Sequence, residues 1–160
     1  MNDNAPDAGI LDTLKGYSDR MTISQAVVFF ERLGYGVTKT MIQNYVRVGA
    51  LPPPIEKRRY TKNHLLMILM IDHLKAIYSL EEIRRLFEPV ADKFNSGEIS
   101  GMSDVYRKFC KFYDNKIESL SNAVNSGSDA PFFTGLSIAA ESVACRSMAA
   151  GIANGSERAN

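Results

Sequence analysis

Three features of the sequence predict a mainly α-helical fold. Apolar residues recur at three- and four-residue spacing in successive segments, most of them opened by Thr or Ser and several closed by Gly. No segment shows the sustained period-two alternation of a substantial sheet. A single short stretch, Leu51 to Tyr60, interrupts the helices with three prolines and a charged ribbon. The expected class is therefore all-α, with a minimal wing as its only extended element.

The elements follow in order. Residues 1–20 are polar and acidic with sparse apolar residues, so they read as a flexible N-terminal tail carrying one short helical turn around Ile10 to Leu14. Thr22 caps a first helix, with Ile23, Ala26, Val27, Phe30 and Leu33 on one face and Gly34 as its stop. Gly34-Tyr35-Gly36 reads as a turn. Thr38 caps a second helix whose apolar residues are Met41, Ile42, Tyr45 and Val48, and Gly49 ends it. Helix, glycine turn, helix is the outline of a helix-turn-helix.

Leu51-Pro52-Pro53-Pro54-Ile55 cannot be helical, because each proline removes a donor and restricts its predecessor. Glu56 to Tyr60 follows as a charged ribbon. Thr61 caps a third helix, Lys62 to about Ile77, so dense in Leu, Met and Ile that it should be largely buried. Ser79 caps a fourth, with Glu81 and Glu82 in its first turn, where negative charge suits the helix dipole, and Pro89 as its end or kink. A linker is expected from Asn95 to Gly101, then an amphipathic helix from Ser103 to about Val124, a break at Asn125 to Asp129, and an Ala-rich helix from Thr134 to about Ala153. The domains expected are 21–95 as the principal unit, 96–155 as a C-terminal helical region for dimerisation or effector response, and 156–160 as a frayed end.

Composition narrows the function classes. The longest apolar run, Leu65 to Ile71, is far short of the roughly 20 residues that span a bilayer, and no leader-like segment opens the chain. Two cysteines, Cys110 and Cys145, make neither a disulfide framework nor a metal knuckle, so a cytoplasmic location is expected. Net charge is only +1, but between Thr38 and Arg85 nine basic residues face four acidic ones. A basic middle in a near-neutral chain suits a polyanion partner, although the same surplus also reads as a solvated face. Phosphate-loop, Gly-x-Ser-x-Gly and His-Glu-x-x-His motifs are missing, so no enzymatic activity, cofactor or metal is expected. His64 and His73 lack ligand spacing and read as packing or surface residues.

The ordered series of Thr38 cap, Tyr45, Gly49, Leu51-Pro52, Arg58-Arg59-Tyr60-Thr61 and Ser79-Leu80-Glu81-Glu82-Ile83 resembles the DNA-binding domain of MerR-type regulators. In that family a capped helix ends in a Tyr-x-x-x-Gly step, Leu and Pro precede the wing, and Arg-x-Tyr-Thr leaves it. The run Leu66 to Leu86 resembles the helices that support the wing. The resemblance covers Met21 to Phe87, and the chain also looks like an uncharacterised bacterial family described as a MerR-like domain of unknown function. It implies a MerR-like winged helix-turn-helix followed by a C-terminal helical region, with double-stranded DNA as partner and two copies pairing as a homodimer. Gln43 and Asn44 depart from the Arg and aromatic residue usual there, and the wing is short.

On such a scaffold the second helix, 38–48, would enter the major groove and the ribbon 56–60 would lie on the phosphate backbone. Thr38, Lys39, Thr40, Gln43, Asn44 and Arg47 are the candidates on the helix. Gln and Asn suit adenine and Lys suits guanine or phosphate. Lys57, Arg58, Arg59 and the Tyr60 hydroxyl are the candidates for phosphate. The same side chains also fit an ordinary polar helix face and a solvated turn. The function expected is that of a sequence-specific transcription regulator. Its alternatives are a protein-interaction module on the same scaffold and an architectural, excisionase-like DNA factor. The aromatics Phe109, Phe112, Tyr113, Phe132 and Phe133 would build a second core or a dimer face, with a small-molecule effector pocket as a further option.

Overall fold

The computed structural model describes residues 5–56, 58–95, 101–126 and 131–154. Lys57, the middle of the expected linker, the residues after Ser126 in the expected break and the C-terminal end lie outside the described residues. Among the described residues seven helices follow one another: α1 (Ile10–Lys15), α2 (Ile23–Arg32), α3 (Lys39–Arg47), α4 (Lys62–Leu74), α5 (Leu80–Asn95), α6 (Gly101–Ser126) and α7 (Pro131–Ala153). Extended structure among the described residues is limited to two antiparallel bridges, Met21 with Tyr60 and Ile55 with Arg59. The chain is mainly helical.

Local chemistry explains where the helices begin. Thr22, Thr38 and Thr61 are each extended, and each side chain accepts a hydrogen bond from the backbone three residues on. Gln25 returns a bond to Thr22 and His64 to Thr61, closing two reciprocal caps. Ser79 and Glu82 make a third: the Glu82 carboxylate accepts from the Ser79 N–H and hydroxyl, and Ser79 Oγ accepts from the Glu82 N–H. Those bonds hold the Glu82 carboxyl below its ordinary range. Gly49 follows the α3 cap with φ +79°, the left-handed step that turns the chain away from the helix.

Helix α4 is the centre of the molecule. Every residue from Asn63 to Ile71 is buried, which is why its sequence lacks a polar stripe. It packs against α5 and α6, while α2 packs against α3. Phe29, Phe30, Ile42, Tyr45, Ile83 and Tyr106 join its side chains in one core.

Two sequence expectations are corrected. The first 20 residues are not all a loose tail, since Ile10 and Leu14 of α1 are buried in the core and the Tyr17 ring meets Phe29 edge-on at 5.0 Å. Sparse apolar residues suffice because they fall four apart, on one side of a helical turn. Of the two readings of Pro89, an end or a kink, the end is ruled out, because α5 continues to Asn95. Proline removes one helical hydrogen bond, and the buried Ile83 and Phe87 on the same helix keep it packed through that loss.

Candidate nucleic-acid interface

Helix α3 divides its side chains sharply. Ile42 and Tyr45 are buried, while Thr38, Lys39, Thr40, Gln43 and Arg47 are exposed and Asn44 is half-buried. Thr40, Gln43, Asn44 and Arg47 lie three and four residues apart, so they share one face. With Met41 they line a shallow surface depression of about 410 Å³. The Arg47 guanidinium donates to Asn44 Oδ1 at 2.6 Å, so Asn44 anchors the arginine and keeps its own amide hydrogens for another acceptor.

The ribbon is built from the chain upward. After the prolines, Ile55 and Arg59 exchange backbone hydrogen bonds of 2.8 and 2.9 Å, with Glu56 in the left-handed region (φ 46°) at the tip. Met21 and Tyr60 exchange a second pair, at 2.9 and 2.7 Å, which ties the ribbon to the start of α2. Arg20 pairs with Glu56 at 3.2 Å across the same junction.

His64 completes the attachment. Its Nδ1 accepts from the Thr61 N–H at 3.0 Å, so Nε2 carries the proton and donates to the Pro53 carbonyl at 3.1 Å. Full burial disfavours the imidazolium and pushes the pKa down to about 4, against the pull of the proline carbonyl. A neutral histidine thereby pins the polyproline stretch to α4. Sequence reasoning assigned His64 only packing or surface; the signal available was Thr61-x-x-His64, a cap with histidine in the reciprocal position.

Arg58 and Arg59 are exposed on the ribbon. Tyr60 stands apart from them. It is 5% exposed, its ring lies edge-on to His64 at 5.3 Å, and burial raises its pKa. Its aromatic body thus belongs to the core beneath the ribbon rather than to the basic face. Lys57 lies outside the described residues. The structure brings Thr40, Gln43, Asn44 and Arg47 together on one depression, with Thr38 and Lys39 outside its lining, and no hydrogen bond or ion pair joins them to the ribbon arginines among the described residues.

Among the described residues the acids pair elsewhere. Asp72 pairs with Lys75, and Glu81 with Arg84 and Arg85. Among the described residues Lys39, Arg47, Arg58 and Arg59 make no ion pair. No group of three His, Cys, Asp or Glu that could hold a metal occurs among the described residues, and no helix there is long and apolar enough to cross a membrane.

No curated protein and no solved structure matches the chain. One family model does, over residues 21–109, from the bridge that opens α2 to the first turns of α6. That is more than half of the sequence, and the chain belongs to the family described as Domain of unknown function (DUF1836).

Proposed function

We propose that this chain is a sequence-specific DNA-binding regulator built on a MerR-like winged helix-turn-helix. Helix α3 enters the major groove and the ribbon lies on the adjoining phosphates. The observation that carries this reading is the α3 face. Thr40, Gln43, Asn44 and Arg47 stand together on an exposed surface whose opposite side is locked into the core by Ile42 and Tyr45. Such a face presents groups able to read base edges on a support that does not move with them. Gln43 offers a bidentate amide for adenine, Arg47 a fork for guanine or phosphate, and Lys39 a point charge near the first turn. Arg58 and Arg59 supply sequence-independent attraction. Two copies pair through the C-terminal helices, where Leu136 and Val143 stand seven residues apart and exposed on α7.

Fluorescence anisotropy of the full chain against its own upstream DNA tests the reading, with scrambled competitor and a salt series. Four cations on phosphate would give a slope of log affinity against log salt of about −4. The Arg58→Ala/Arg59→Ala double variant should lower that slope by about two units while leaving preference for the site intact. Gln43→Ala should relax discrimination instead, by about 1–3 kcal/mol at one base pair. Absence of binding at low salt sinks the regulator and leaves the protein-interaction module. Binding with the full salt slope but no sequence preference points to the architectural factor.

A further inference from the structure

Helices α6 and α7 enclose, with the residues just after α4, an open groove of about 500 Å³. Its floor is apolar: Ile77, Ile117, Leu120 and Ile138 line it. The volume falls in the range of small-ligand sites, about 300–1,000 Å³. Ser142, which also faces the groove, donates its hydroxyl to the Ile138 carbonyl at 2.9 Å, so that polar group is satisfied within α7. The rim is charged and asymmetric. Lys116 of α6 is engaged by Glu141 of α7, whereas Arg146, five residues beyond Glu141, has no ion-pair partner among the described residues.

We infer that this groove binds a small amphipathic monocarboxylate of the medium-chain fatty acid class, its tail on Ile77, Ile117, Leu120 and Ile138 and its headgroup on Arg146. Charge complementarity selects the occupant. Among the described residues Arg146 is the rim cation without an ion pair, which calls for an anion, and a guanidinium fork matches a carboxylate in two parallel hydrogen bonds. A single charge is preferred, because a phosphate dianion would also face the Glu141 carboxylate. The inference does not rest on DNA binding, and its test uses no DNA.

The test is displacement of a fluorescent dansyl fatty acid from the full-length protein by decanoate, decyl phosphate, decanol and decylamine. Sedimentation velocity is run on the same samples. Decanoate should displace the probe saturably, with affinity rising about two- to fourfold per added methylene along the shorter homologues. Decylamine and decyl phosphate should each be at least tenfold weaker. Arg146→Gln, at an exposed position that the fold does not need, should cost decanoate about tenfold and leave decanol unchanged. Ile138→Gln should weaken both. Bound decanoate should also slow maleimide modification of the exposed Cys145, which lines the groove, relative to the buried Cys110. Equal displacement by decylamine, tighter binding of decyl phosphate, or an unchanged Arg146→Gln variant overturns the assignment of the headgroup site. Failure of any competitor to displace the probe, or a dimer that Ile117→Asp dissociates without any decanoate binding, overturns the site itself.

Discussion

Helices α4 and α7 are both apolar around most of their circumference, and they end in opposite places. On α4 nine consecutive residues are buried, His64 and Asn63 among them, because α5 and α6 pack on it within a core to which α2 and α3 also contribute. On α7 the large apolar side chains face outward: Val143 is 68% exposed, Met148 71% and Ile152 69%. Its described polar ties to the rest of the chain are few. Asn154 bridges Arg85 and Glu82 of α5, and Glu141 meets Lys116 of α6. Exposed polar contacts of that kind contribute little. An apolar helix is an unfinished interface until something packs on it. For α4 the covering elements leave no apolar side exposed; α7 packs on α5 of the same chain and leaves Val143, Met148 and Ile152 outward, the surface on which the proposed pairing and the proposed ligand draw.

The largest expected effect breaks this comparison directly. Leu65→Ala in α4 should cost about 2–5 kcal/mol in urea unfolding, because it leaves a cavity in a fully packed site. Val143→Ala on α7 should fall within about 0.5 kcal/mol at concentrations where the chain is a monomer. If the α7 substitution instead costs as much as the α4 one, and more so as protein concentration rises, a partner covers that helix in solution.

Next comes the pH dependence contributed by His64. Its folded pKa of about 4 lies below the ordinary 6.5, so the unfolded chain binds more protons between those values. The stability from a neutral His64 is fully present above about pH 6.5 and is lost as pH falls toward 4, up to about 3 kcal/mol. His73, lowered by burial against the opposing charge of Asp72, acts in the same direction. Urea midpoints measured across this window should drop in the native chain and drop much less in His64→Gln. An equal drop in both would move the acid sensitivity away from the ribbon clamp.

Gly49→Ala should cost about 1–2 kcal/mol, since a non-glycine residue at φ +79° is strained. The added Cβ would also meet the Arg84 side chain at 3.2 Å, a flexible neighbour that can yield. Thermal unfolding checks this value. The smallest effect on folding is expected from Arg58→Ala/Arg59→Ala, within about 0.5 kcal/mol of the native chain. That near-neutrality sharpens the contrast, because the same double variant should remove about two units of salt slope on DNA. A variant that unfolds instead would make the ribbon arginines structural.

Much of this arrangement was legible from residues alone. Thr22, Thr38, Thr61 and Ser79 announce four helix starts by short-range chemistry, and Gly34 and Gly49 announce two ends. The exposed face of α3 was equally visible, because Ile42 and Tyr45 mark the inner side of a nine-residue helix and the polar residues fall opposite. The packing of the Tyr60 ring was not legible, because it depends on the bridge to Met21 and on His64, both distant from the run of arginines beside it. The helical turn at Ile10 to Leu14 was read, but its burial was not, because two apolar residues carry little periodic signal and their worth depends on the phenylalanines they meet.

The sequence by itself determined what each segment is: capped helices, a proline-broken ribbon, a basic middle. These depend on hydrogen bonds and spacing within a few residues of one another. Tertiary structure alone decided that α4 is enclosed while α7, packed on α5, keeps Val143, Met148 and Ile152 exposed, that a neutral His64 holds the ribbon through the Pro53 carbonyl, and that Asn44 steadies Arg47. Burial is a property of what surrounds a helix, and two helices of similar composition acquire different surroundings only when the chain closes on itself.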